Sequence, residues 1–399
     1  MKDKKQFWKG MAAGFVLTLL LVEGAILGNR ILGNMLHRGK LDLTSSETEE
    51  KLEEIQKLME TYYLEEIDTE QVEDFLYKGA VAGLGDTYAA YYTEQEYQSM
   101  LDTTNGSYCG IGVQVSQNMT TGIITVSQIF KGSPAEEAGL LPGDVLYKID
   151  GKAVTGEDLT KVVSMIKGEE HTTMQITVAR EGESGYLDLE VERRIVEVQT
   201  VEAEMLEDGV GYIAITSFDD VTTEQFLSAM DELEAQGMKA LVIDLRNNGG
   251  GLVSSVCAIL DRLLPEGLIV YTEDKYGVRE EEHSDAEHYF DKPMAVLING
   301  HSASASEIFA GAVKDYGVGT LVGTTTFGKG IVQKIYPLSD GTALKLTVSK
   351  YYTPNGSNIH GIGIEPDVEV ELNAGLEYEV SVPKEEDNQL QKALDILKK

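Results

Sequence analysis

Three serines at alternate positions, Ser302, Ser304 and Ser306, lie in the run HSASASEIFAG at 301–311. A serine hydroxyl becomes a nucleophile once a neighbouring base takes its proton. The run follows MAVLING (294–300), which reads as a strand, and SASEIFAGAVKDY (304–316) reads as a helix. The serines therefore stand at a strand-to-helix junction, where the first amides of the helix have no internal partner. A serine in such a place is commonly only an N-cap. The small residues around each candidate also leave room for a substrate backbone, and for free amides to face a developing oxyanion. Both readings stand at this point.

A nucleophilic serine needs a base. His301 precedes the helix and His360 lies in PNGSNIHGIGIEPD (354–367); either could serve in a Ser-His-Asp arrangement. Lys329 is the better source. It sits between Gly328 and Gly330 in TTTFGKGIVQ (324–333), with apolar chain on both sides that could hold its amine in a poorly hydrated place. Bringing a lysine from about 10.4 towards neutrality is a drop of about 3 units, or roughly 4 kcal/mol against its charged form, which burial can supply. An exposed lysine in a glycine turn is the alternative. A third segment, ALVIDLRNNGGGLVSS (240–255), places Asp244 and Arg246 before three glycines. The acid and base could be structural. No Gly-Lys-Ser/Thr follows, so it is not a phosphate loop, but bare amides there could complete an oxyanion hole.

The elements that must position these groups fall into five stretches. Residues 1–40 hold Lys2, Lys4, Lys5 and Lys9 and then the apolar run 11–27 flanked by Trp8, expected as a single-pass membrane anchor with the N-terminus inside and the rest outside the cytoplasm. Glu23 lies near the outer end of that run. Secretion after cleavage of a signal peptide is the competing expectation. Residues 41–104 read as helices, with Leu52, Ile55, Leu58 and Met59 at helical spacing, Ser45 or Thr48 as the first cap and Thr69 as the second. The tyrosines at 62, 63, 88, 91, 92 and 97 are expected to form a core or a subunit interface. Residues 105–195 are short β-rich runs with two helical candidates, SPAEEAGL and GEDLTKVVSMI. From 196 to 376 strands alternate with helices, implying α/β layers on a buried sheet. Residues 377–399 end in an amphipathic helix.

The length, 399 residues, suits two or three domains. A formal charge of −34 with no long basic run argues against nucleic acid, or anionic lipid, as a partner of the folded body. Two cysteines, Cys109 and Cys257, and six histidines show no disulfide framework and no metal-ligand spacing.

Taken together and in this order, DLRNNGGG (244–251), GHSASASEIFAGA (300–312) and TTTFGKGIVQ resemble the carboxyl-terminal processing peptidases, the tail-specific serine proteases of family S41. The resemblance covers roughly 60–370. It implies Ser304 as nucleophile, Lys329 as general base and Gln333 as the group orienting the amine. Oxyanion donors would be the amides of Ala305 and Gly250, leaving Ser302 and Ser306 to cap or pack. No cofactor is implied. The 105–195 stretch then resembles a PDZ domain whose CGIGVQV loop offers the amides of Ile111, Gly112 and Val113 to a peptide C-terminus.

The fold so implied is multidomain α+β: a membrane helix, a small helical region, a PDZ β-sandwich or barrel with two helices, and a crotonase-like layered α/β core. Expected partners are proteins with accessible C-termini, and a second copy of the chain docked through residues 45–100 and the C-terminal helix. In place of the family's Asp-Pro-Tyr-Ser sequence, GLGDTYAAYYTEQEY (83–97) keeps only a part. The function so expected is that of a membrane-anchored extracytoplasmic serine endopeptidase, its rival a PDZ tether with a degenerate peptidase core.

Overall fold

The computed structural model describes residues 41–285, 287, 289–376 and 382–398. The apolar run 11–27, and the anchor expected there, lie outside the described residues. Among the described residues no helix is long and apolar enough to cross a membrane.

Helix α1 (Ser46–Tyr62) starts at the expected cap, Ser45, whose hydroxyl accepts the Thr48 amide at 3.3 Å. Its Leu52, Ile55 and Leu58 remain exposed. Helix α2 (Thr69–Ala82) is capped one residue earlier than expected. Asp68 accepts the Gln71 amide at 3.0 Å, and Thr69 becomes the first helical residue.

From Asp74 onward the chain forms one compact unit. Strand β1 (Ala90–Tyr92) is followed by helix α3 (Glu94–Asn105), closed by a reciprocal cap between Thr93 and Glu96. Next come β2 (Ser107–Gly110), β3 (Val113–Gln117), β4 (Ile124–Ile129), the short α4 (Pro134–Glu137), β5 (Val145–Ile149), β6 (Lys152–Ala153), α5 (Leu159–Ile166), β7 (Thr173–Ala179), β8 (Tyr186–Glu192) and β9 (Arg194–Glu197). Strands β3-β4-β5-β7-β8 form an antiparallel sheet in that order, with β6 on β5. Its apolar face closes over Ile124, Leu146, Ile149, Val162 and Ile176, each at most 1% exposed. The two helical candidates of this stretch are both present. Strands β2 and β9 pair antiparallel, so the domain's two ends meet.

The remaining chain builds two sheets. Strands β10 (Val201–Met205), β11 (Val210–Ile215), β12 (Ala240–Asp244), β15 (Met294–Ile298), β16 (Thr320–Gly323) and β19 (Val368–Glu369) form one, in that order and parallel except for β10. Alternate residues point to opposite faces. Leu241 and Ile243 pack under α6 (Asp220–Ala235), α7 (Val253–Asp261) and α8 (Ala305–Tyr316), while Val242 packs under α9 (Asn388–Leu397). Both faces are thus covered, which is why β12 and β15 are apolar nearly throughout. Helix α9, expected at an interface between copies, buries Leu390 and Ala393 against this sheet of its own chain.

The second sheet departs from a simple alternation of strands and helices. Strands β13 (Gly267–Asp274), β14 (Arg279–Ser284), β17 (Ile331–Pro337) and β18 (Ala343–Tyr352) leave the parallel layer and pair antiparallel, with β1 on the other edge of β18. Hairpin connections between β13 and β14, and between β17 and β18, require antiparallel pairing.

Candidate active site

Strands β12 and β15 are parallel neighbours, so the turns after their carboxyl ends lie side by side, the usual place for a site in such a sheet. The Ser304 junction is one turn and the three glycines are the other. Ser302 donates to the Leu245 carbonyl at 2.7 Å, Ser306 donates to the Asn248 carbonyl at 2.9 Å, and the Ala303 amide donates to that same carbonyl at 3.0 Å. These two serines lock the turns together, as packing residues would. Ser304 is different: it is half-buried, with φ 56° and ψ −113°. A non-glycine residue held there costs on the order of 1–3 kcal/mol, and such strain collects at functional positions.

Gly250 explains the glycines. With φ 105°, a side chain there would place its first carbon 2.7 Å from both the Ala303 oxygen and the Ser304 Cβ, and 3.0 Å from the Ala305 nitrogen. Only a bare backbone fits so close. Of the two expected oxyanion donors, Ala305 opens α8, where the helix provides its amide with no acceptor. The Gly250 amide donates instead to Asn248 Oδ1 at 2.8 Å. Asn248 is fully buried, and its Nδ2 donates to the Ile215 carbonyl at 2.8 Å.

Glu307, also fully buried, joins the serine turn to the lysine turn. Its Oε2 accepts the amides of Ser304 at 2.9 Å and Lys329 at 2.8 Å. Its Oε1 accepts the Thr326 hydroxyl at 2.6 Å and the Gly328 amide at 2.7 Å. Four donors satisfy a buried carboxylate that would otherwise be costly. The Tyr351 hydroxyl donates to the Ser304 carbonyl at 3.0 Å, and burial, then the Glu307 charge, holds that phenol well above its usual pKa.

The Lys329 amine is partly buried. Burial first, and then the charge of Lys345, pushes its pKa down, while Glu307 opposes them. Its Nζ lies 4.9 Å from the centre of the Tyr88 ring and is not hydrogen-bonded to Ser304. Gln333, expected to orient this amine, donates to Thr347 Oγ1 at 3.3 Å instead. Thr347 also bonds Asp86, a contact that leads the causes holding that carboxyl below its usual pKa. His301 and His360 are exposed, and among the described residues neither ring is hydrogen-bonded to Ser304.

Asp244 and Arg246 prove structural. The Arg246 guanidinium bridges Asp244 and Asp387, each at 2.6 Å, which ties the glycine turn to the cap of α9. Tyr212 donates to Asp244 at 2.8 Å.

The second expected site lies along β3, an edge strand whose free side faces α5 across a cleft of about 860 Å³ lined by Tyr108, Val113, Val115, Val163 and Ile166. Gly112 has φ 76°, and a side chain on it would strike Ser133 at 2.3 Å. The Ile111 carbonyl accepts the Ala135 amide at 2.9 Å, which fixes the loop. Burial raises the Tyr108 phenol above its usual pKa, and the amides of Gly112 and Val113, which approach its hydroxyl, oppose that rise. Two of the three amides expected to bind a peptide carboxylate thus face an internal oxygen.

The profile of peptidase family S41 matches residues 209–370, and that of the PDZ domain matches 125–180. The chain is 34% identical over 360 residues to the carboxy-terminal processing protease CtpA of Bacillus subtilis, covering 90% of this chain and 77% of that one. The chain belongs to peptidase family S41. A second S41 relative, the carboxy-terminal processing protease CtpB of the same organism, is 36% identical over 325 residues, covering 80% of this chain and 67% of its own. A putative S41 protease from Bacteroides fragilis shares the fold with a TM-score of 0.52 at 20% identity, over 84% of this chain and 92% of that one. The chain is therefore a serine-type peptidase of the carboxyl-terminal processing family and carries a PDZ domain.

Three residues that shape this candidate site are not singled out by the sequence. Glu307 reads as an ordinary acid in a first helical turn, Asn248 as a turn residue, and Tyr88 as one of many tyrosines. The retained Asp-Thr-Tyr at 86–88 is the one signal that could have pointed to Tyr88.

Proposed function

We propose that this peptidase cleaves protein substrates by acyl transfer to Ser304, with Lys329 as general base. The observation that carries the reading is the shared Glu307 oxygen, which brings the backbones of the two residues together although they lie far apart in sequence. The neutral Lys329 amine takes the Ser304 proton as the oxygen attacks the scissile carbonyl carbon. The resulting oxyanion meets the Ala305 amide, and the Gly250 amide once it leaves Asn248. Lys329 then gives its proton to the departing amine, leaving an acyl-serine, and later removes a proton from the water that hydrolyses it. Gln333 would orient the amine in that closed arrangement.

The PDZ groove supplies recognition in this reading. A substrate C-terminus adds along β3 with its carboxylate at the amides of Ile111, Gly112 and Val113. The 11–27 run anchors the enzyme in the cell membrane, with the catalytic part outside the cytoplasm, and residues 45–100 pair two copies. Extraction of membranes at alkaline pH tests the anchor: release of the chain into the supernatant speaks for secretion after signal cleavage instead.

A second reading, a PDZ tether that does not cut, draws on Lys329 resting against Tyr88 instead of Ser304. One assay separates the two. The full chain in detergent, incubated with unfolded casein, should generate new N-termini, and Ser304→Ala and Lys329→Ala should each abolish them. Equal cleavage by all three removes the mechanism, and a silent parent selects the tether. Loss of turnover in His301→Ala or His360→Ala, with Lys329→Ala active, would select a histidine triad.

A further inference from the structure

The base proposed above needs an uncharged amine directed at Ser304, yet the Lys329 Nζ stands over an aromatic ring. Tyr88 is held there from two sides. Its amide donates to Asp86 Oδ1 at 2.9 Å, Asp86 is bonded to Thr347 of β18, and two residues further on Ala90 pairs with Lys345 of the same strand. Strand β18 in turn pairs with β17, which begins two residues after Lys329. The ring and the lysine are thus mounted on one antiparallel ladder. The same segment repeats the arrangement, with the Lys345 Nζ 5.3 Å from the centre of the Tyr92 ring. An aromatic face attracts an ammonium group through its quadrupole and offers no comparable attraction to a neutral amine.

We propose that the Tyr88 ring is the resting seat of the Lys329 amine, and that substrate draws the amine from this ring to the Ser304 hydroxyl. The inference rests on the Ser304 and Lys329 reading. Tyr88 then acts as a positioning residue, since it works through the lysine and not on the substrate. The groups facing the amine divide into two sets. Burial and Lys345 on β18 favour the neutral form, and Glu307 on α8 favours the charged form. The ring joins Glu307. Asp86 on the ring's own segment is bonded to Thr347 and Tyr88, and buried Tyr351 is bonded to the Ser304 carbonyl.

The pH profile of kcat/KM reads the free enzyme's base directly. On a quenched fluorescent peptide, Tyr88→Leu should move the acid limb down by about half to one and a half pH units. Tyr88→Phe, which keeps the ring, should leave the limb in place. Pentafluorophenylalanine incorporated at position 88 keeps the shape and reverses the quadrupole, so it should move the limb as leucine does even if the leucine variant folds poorly. An unmoved limb with the fluorinated ring, while Lys329→Ala is inactive, overturns the seat alone. Full activity in Lys329→Ala overturns the base, and the seat with it.

Discussion

The backbone amides of Ser304 and Lys329 donate to one and the same oxygen, Glu307 Oε2, at 2.9 and 2.8 Å. The two turns that bear the proposed nucleophile and base are therefore positioned by a third residue that contributes no group to the reaction. Whatever moves this carboxylate moves both partners at once.

Replacing Glu307 by glutamine keeps the volume but sets an NH₂ group against backbone donors. At least one pair of hydrogen bonds is lost in a dry interior, where each unpaired group costs about 1–3 kcal/mol. Glu307→Gln should lower the unfolding free energy by about 2–4 kcal/mol in urea titrations, and kcat/KM by about a hundredfold, a loss of about 2.7 kcal/mol in transition-state stabilisation. Unchanged stability would mean that the carboxylate is not the clamp.

After burial itself, the charge of Lys345 does most to drive the Lys329 amine towards neutrality. Removing a positive neighbour favours the charged form, so Lys345→Met should raise the Lys329 pKa towards 10.5, its ordinary value. Because the base works uncharged, the acid limb of kcat/KM should shift to higher pH and activity at neutral pH should fall. A limb that moves down, or not at all, contradicts this electrostatic assignment.

Asn248 satisfies the Gly250 amide and the Ile215 carbonyl from one buried side chain. Asn248→Ala leaves both unpaired and opens a small void, which should destabilise the peptidase core by about 2–4 kcal/mol. Proteolysis should fall at least tenfold, a loss of about 1.4 kcal/mol or more. Affinity for a peptide bearing a free C-terminus, measured by fluorescence anisotropy, should be retained, because this turn lies outside the β3 groove.

The amides of Gly112 and Val113, the proposed seat of a peptide carboxylate, approach the Tyr108 hydroxyl. Tyr108→Phe removes the oxygen and keeps the ring. In the Ser304→Ala background, a fluorescent peptide with a free C-terminus should bind about three- to tenfold more tightly, the worth of one net hydrogen bond. A C-terminally amidated peptide should gain nothing. Equal gains for both peptides would show that the hydroxyl does not compete with the carboxylate.

The features legible in the sequence are those fixed by local chemistry. The Ser302/Ser304/Ser306 junction and the glycine turns admit few conformations, so their places could be named from a handful of residues. Strands β12 and β15, buried on both faces, announce themselves as continuous apolar runs. Glu307 could not be read in this way because its partner amide lies 22 residues on, in another turn. Strand β14 escaped for the opposite reason: five of its six residues are exposed, and its register comes from β13 alone. Gln333 donates to Thr347 of the neighbouring strand in this structure, a contact set by the pairing of β17 with β18 and invisible in the local run around Lys329. Tyr88 lies on a segment whose fold is set by pairing with β18, a contact between residues more than 250 positions apart.

The pairing of β2 with β9 is completed by the Val198 amide donating to the Gly106 carbonyl at 2.8 Å. The chain thus leaves for the PDZ fold and returns from it through one short two-stranded ribbon, Ser107–Gly110 against Arg194–Glu197. Any foreign fold whose own extremities sit equally close could hang from that clasp, so the PDZ unit is open to transplant.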